Sequence, residues 1–179
     1  MLTLEPLVLG EDALSDLRAW LRVETEEEDP LLLALIAAGV RHAEAFTGRT
    51  LLVRAGTARL AASSDWKRLP VTPVRSITTV TGIPADGASF VLPAGDYAVD
   101  IDNDGDGWVR VMNAGAAGRI DVSFTAGVAE VWEDLPEPVR LAALRLTGYL
   151  HGHRDGDLDG GPPAAVAALL RPWRRMRLS

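Results

Sequence analysis

The sequence predicts an α+β fold, a small bundle of about four helices carrying an inserted antiparallel β-rich section. Three observations predict it. Apolar residues recur at helical spacing near both ends of the chain. β-Branched and aromatic runs, parted by Gly, Pro and Asp, fill the middle. The connections between those runs are too short for crossover helices, so the pairing should be antiparallel.

Leu14, Leu17 and Leu21 lie on one stripe, which predicts a first helix over 11–22. An acidic run follows and ends in Asp29-Pro30. Asp suits the N-cap and Pro the first helical position, and Leu32, Ile36, Val40, Ala43 and Phe46 then mark a second helix over 30–47. Gly48 stands where a left-handed residue would stop it. The β-rich section spans 50–128. Its runs are Leu51 to Val53, Ile77 to Val80, Phe90 to Leu92, Tyr97 to Val99, Trp108 to Val111 and Ile120 to Phe124. A third helix is expected over 137–151. It is apolar nearly all round, Leu141 and Leu144 included, with Arg140, Arg145 and Thr147 as its polar points. Such a helix needs cover on more than one side, and a neighbouring subunit packing on Leu141, Leu144 and Arg145 would supply it. Two segments result: a domain over 1–154, and a 155–179 extension made of a glycine-rich linker, a short fourth helix ending at Leu170 and a basic arm.

The chain has 179 residues, 47% apolar and 24% charged, enough for a real core. Leu31 to Val40 is its longest strongly apolar stretch, too short to cross a bilayer, so no membrane partner is expected. Acids rather than a basic lead open the chain, which reads as no signal peptide. Without cysteine there is neither a disulfide framework nor a thiolate metal site. The net charge is −7, with five acids in the six positions Glu24 to Asp29 and four arginines, no acid, in the last nine. An acidic body argues against tight wrapping of nucleic acid, which needs a basic face.

Candidate chemistry is sparse. Asp102, Asp104, Asp106 and Gly107 follow the opening of a calcium loop, but Asn113 stands where the closing Glu belongs. The flanks read as strands, so a hairpin turn is the first reading and a small calcium- or metal-binding module the alternative. His151 and His153, with Asp155, Asp157 and Asp159 nearby, have the residue types of a metal site but fall at a helix end beside Arg154. No serine elbow and no phosphate-cradling glycine loop occurs, and the sole lysine, Lys67, sits beside Trp66 as an ordinary surface pair. No cofactor is called for, and the chain does not read as an enzyme. The end is different: Arg171-Pro172-Trp173-Arg174-Arg175-Met176-Arg177 joins the two residue types most enriched at interface hot spots.

Several strings, in order along the chain, resemble the phage head–tail connector family of long-tailed phages and gene transfer agents. They are Thr47-Gly48-Arg49 ending helix two, Leu69-Pro70-Val71-Thr72-Pro73-Val74-Arg75-Ser76-Ile77 entering the sheet, and Gly95-Asp96-Tyr97. Val122-Ser123-Phe124-Thr125-Ala126-Gly127, Leu135-Pro136 with Ala142 to Arg154, and Ala168-Leu169-Leu170-Arg171-Pro172-Trp173-Arg174 complete them. Val128, where the family often has an aromatic, and the long Asp100 to Gly107 turn depart from the pattern. The resemblance implies a structural virion component: a ring of identical subunits, typically twelvefold, at the head–tail junction, reached from the host cytoplasm during assembly. Its implied partners are the portal protein above and the next head-completion or tail protein below. DNA would pass through the channel without sequence-specific binding, as a negative lumen allows. The implied portal-docking arm comprises Leu169, Leu170, Arg171, Trp173, Arg174, Arg175 and Arg177.

Overall fold

The computed structural model describes residues 1–153 and 162–175. The fold is α+β, as the sequence predicts. It divides into two compact units, one of Met1–Pro6 with Val53–Val128, the other of Leu7–Leu52 with Ala129–Ser179.

The first unit is all β. Its strands are β1 (Leu2–Leu4), β2 (Arg54–Ala61), β3 (Lys67–Arg68), β4 (Val74–Pro84), β5 (Phe90–Val91), β6 (Tyr97–Ile101), β7 (Gly107–Val111) and β8 (Ala117–Ala126). A five-stranded sheet runs β1-β2-β8-β4-β5 and a three-stranded one β3-β7-β6, every neighbouring pair antiparallel. Alternation along β8 turns Ile120, Val122, Phe124 and Ala126 into a core completed by Ala58, Val80, Leu69, Val109 and Val111. The opposite side of β8 is polar. There the guanidinium of Arg59 on β2 forks onto its cross-strand partner Asp121, at 2.8 and 2.7 Å. That fork holds the Asp121 carboxyl below the usual carboxylate range.

The second unit holds α1 (Glu11–Leu21), α2 (Asp29–Thr47), α3 (Glu137–Gly152) and α4 (Ala164–Leu170), with 3₁₀ turns at Trp132–Asp134 and Arg171–Trp173. Three expectations need correction. Asp29 is the first residue of α2 rather than its cap; its carboxylate instead binds the Arg18 guanidinium of α1, which tethers the two helices. Leu51 to Val53 forms no strand: Leu51 and Leu52 are core residues of the helical unit, joined to Ala129 by a single parallel bridge. The third concerns residues beyond 155, considered with the docking surface below. The stop of α2 is as expected, Gly48 taking φ 69° with its N–H on the Glu44 carbonyl, 2.8 Å.

With 19 residues and a mean hydropathy of 1.2, α2 is long and apolar enough to match a membrane span by composition. Its apolar side is used otherwise: Leu32, Ile36, Val40 and Ala43 are fully buried inside the unit. Gly39 lets α3 approach closely, because a Cβ there would stand 2.5 Å from the Thr147 hydroxyl oxygen. In α3, Val139, Ala142, Ala143, Leu144, Leu146 and Thr147 are buried. The helix packs on α1, α2 and α4, so the double cover its sequence demands comes largely from this chain's own helices.

Candidate docking surface

The C-terminal segment is not a free arm where it is described. Val166 and Leu170 on α4 are buried, Leu170 completely, against the helices of its own unit. Leu170 is therefore a core residue and leaves the docking set. Leu169, Trp173 and Arg175 are half-buried, Arg171 and Arg174 exposed; Arg177 lies outside the described residues, as do Arg154, Asp155, Asp157 and Asp159.

After the Arg171–Trp173 turn the backbone returns to the end of α2. The Arg175 N–H donates to the Thr47 carbonyl, 2.8 Å. The Arg174 guanidinium lies 5.7 Å from the Phe46 ring centroid, within cation–π range. A Cβ at Gly48 would sit 3.7 Å from Arg175 Cβ, an ordinary contact, so glycine serves there through its positive φ rather than by making room. Arg49 follows, with its Nε buried and without a hydrogen-bond partner. Among the described residues no carboxylate pairs with Arg49, Arg171 or Arg174. The sequence singled out Arg174 and Arg175 but not their contacts with Phe46 and Thr47, because these join positions over 120 residues apart and no local pattern announces them.

A second surface lies on the same unit between α1 and α3. A hollow of about 400 Å³ is lined by Ala19, Trp20, Leu141 and Leu144, with Asp16, Glu137 and Arg140 among its walls. Leu144 is only 8% exposed at its floor, Leu141 is half-buried and Arg145 points outward. Trp20, not anticipated as a site residue, is 44% exposed and lies over Gly148, its Nε1 3.0 Å from where a Cβ would sit. Acids crowd nearby: a hydrogen bond with Asp12 raises the Glu133 carboxyl above its usual range.

The Asp-rich turn is a self-contained hairpin loop. Asp102 Oδ1 accepts from the Asp104 and Asp106 backbone N–H groups, 3.0 and 2.9 Å, and Oδ2 accepts from the Trp108 indole, 2.9 Å. These donors, the indole foremost, pull the Asp102 carboxyl below its normal range. Asp106 turns to Arg68 at 3.3 Å, and Asp104 is exposed. The three carboxylates do not converge, and among the described residues no group of three or more His, Asp or Glu side chains is gathered as a metal would need. The histidines also part company: His151 lies 3.8 Å from Glu28, while His153 stacks on Tyr149. Trp66 faces Arg110 at 4.8 Å instead of presenting a free ring beside Lys67.

A hollow of the β unit, about 750 Å³, is lined by Thr3, Thr57, Ser123 and Thr125 together with Arg59 and Asp121. It contains no histidine or lysine, and its guanidinium and carboxylate are committed to each other. Neither hollow assembles a nucleophile with a base.

Comparison with known proteins finds a family model and solved structures that resemble this chain. Residues 11–84 match the family model of the Phage gp6-like head-tail connector protein. Three solved structures share the fold over 100% of this chain and 97% of theirs. One is a chain of the neck of an empty gene transfer agent particle computed with C6 symmetry, TM-score 0.80 and 25% identity. Another belongs to the virion of a native gene transfer agent particle, TM-score 0.76 and 26% identity. The third is from the neck of the native particle computed with C12 symmetry, TM-score 0.75 and 24% identity. No curated protein matches. The chain is thus similar over residues 11–84 to a head–tail connector family, and over its whole length to chains of gene transfer agent particles.

Proposed function

We propose that this protein is a structural head–tail connector of a phage or phage-like particle, a ring-forming subunit in the neck. The observation that carries the reading is the end-to-end likeness of fold to neck chains of gene transfer agent particles, at a TM-score of 0.80 over the whole chain. A ring of identical subunits follows from the sixfold and twelvefold symmetry of those necks. A cyclic ring needs two different, complementary patches on each subunit. The α1–α3 hollow with Trp20, Leu141 and Leu144, together with exposed Arg145 on α3, supplies one of them. The basic C-terminal surface, with Leu169, Arg171, Trp173, Arg174, Arg175 and Arg177, docks on the portal, and the ring extends the channel through which DNA moves. The net charge of −7 leaves passing DNA unbound by sequence.

Electron cryomicroscopy of the protein mixed with its cognate portal tests the proposal. A ring seated coaxially on the portal is the expected image. Particles that assemble and remain infectious or transducing without this protein would overturn it.

A further inference from the structure

The C-terminal arginines do not act alone. Phe46 and Arg49, at the end of α2, stand beside them: Arg174 lies over the Phe46 ring, and the Arg175 backbone is bonded to Thr47. Exposed Arg171 and half-buried Trp173 form the 3₁₀ turn immediately before Arg174. Arg49, Arg171 and Arg174 have no carboxylate partner among the described residues, whereas Arg18, Arg59 and Arg68 are each paired with an aspartate. The Nε of Arg49 is buried without a hydrogen-bond partner among the described residues. On a chain of net charge −7 this concentration of unpaired guanidinium groups around two aromatic rings is a local reversal of sign.

We propose that Phe46 and Arg49 form the second half of a composite docking surface with Arg171, Trp173 and Arg174, and that it takes an acidic segment of a protein partner. The inference rests on the docking reading above and adds both the α2 residues and the chemistry of what they meet. Planar guanidinium groups donate bidentately to carboxylates, and neighbouring rings supply the desolvated floor that makes such pairs strong. A protein segment fits better than a nucleic-acid backbone. On a chain of net charge −7 an extended polyanion would meet repulsion beyond the patch, while a short acidic stretch can be confined to it.

The test uses the full chain and purified cognate portal, with affinity read by biolayer interferometry at two salt concentrations and folding checked by thermal melting. Arg49→Gln and Arg174→Gln should each weaken binding by about tenfold or more, the scale on which anchor residues register, and the loss should shrink at high salt. Arg49→Lys should recover part of it, which separates charge from packing. If Arg174→Gln weakens binding while Arg49→Gln binds like wild type, the composite surface is refuted and the C-terminal docking reading survives. If the folded wild-type chain does not bind portal at all, the docking reading itself falls. Retention of wild type on duplex DNA that Arg49→Gln abolishes would overturn the acidic-protein partner in favour of phosphate.

Discussion

Substituting Gly39 by alanine sets two opposed effects against each other, and the structure says which wins. Alanine in a helix interior is favoured over glycine by about 1 kcal/mol. The new Cβ would lie 2.5 Å from the Thr147 hydroxyl oxygen and 3.3 Å from the Ala143 carbonyl of α3. That hydroxyl is fully buried and donates to the Ala143 carbonyl at 2.8 Å, so moving it aside would give up that bond. Overpacking of this kind costs about 1–3 kcal/mol, which leaves Gly39→Ala destabilising by about 1 kcal/mol. In a Thr147→Ala background the obstructing oxygen is gone. The same substitution should then be neutral or stabilising, a coupling of about 2 kcal/mol between the two sites, within the range touching residues show. Urea unfolding followed by helical ellipticity measures both. With a slope of about 1–3 kcal/mol/M, the single variant should lower the midpoint by roughly 0.3–1 M. An equal penalty in both backgrounds would refute the assignment of the α2–α3 spacing to this one contact.

Other expectations are more direct. Leu170→Ala removes a fully buried side chain and should cost about 2–5 kcal/mol in denaturant titration, an amount no solvated arm residue could show. Asp121 is held below its usual range when folded, so its contribution is complete above the unfolded carboxyl value of about 3.9 and fades as pH drops through the lower folded value. Arg59→Gln should flatten that acid limb of the stability curve. Asp12→Asn should move the Glu133 titration downward, toward the ordinary carboxyl range, by carboxyl-carbon NMR. Calcium should leave the melting temperature unchanged, because both Asp102 oxygens already accept N–H donors. Trp108→Phe should raise the Asp102 titration.

Much of the architecture was readable because it is periodic. α1, α2 and α3 begin and end within a residue or so of where their leucine stripes, Pro30 and Gly48 place them. β4 to β8 fall on the β-branched runs. What escaped has little period or much polarity. β2, Arg-Ala-Gly-Thr-Ala-Arg-Leu-Ala, has almost no apolar alternation, and it is a strand because β1 and β8 pair with it on either side. β1 is three residues long and has meaning only through its register with Gly56 to Ala58. The site followed the same rule. Arginine and tryptophan flagged the C-terminal half, whereas Phe46 and Arg49 looked like the unremarkable end of a helix.

The burial of Leu170 changes how the C-terminal surface must be tested. The glycine-rich stretch before α4 suggests a detachable extension, yet Val166 and Leu170 are as deep in the helical unit as Leu32 or Ile36. Burying side chains of this size contributes about 1.5–3 kcal/mol each, a large share of any domain's net stability. Truncation ahead of α4 would therefore loosen the α2–α3 packing along with the surface, and lost binding would report unfolding as readily as lost contacts. The same coupling gives the arginines their fixed positions. With Leu170 anchored and Arg175 bonded to Thr47, the turn between them leads Arg174 onto Phe46 at the end of α2 before any partner arrives, which lowers the entropy cost of docking. Fold and surface share one strut, so only substitutions at outward-pointing groups such as Arg171 and Arg174 separate recognition from stability.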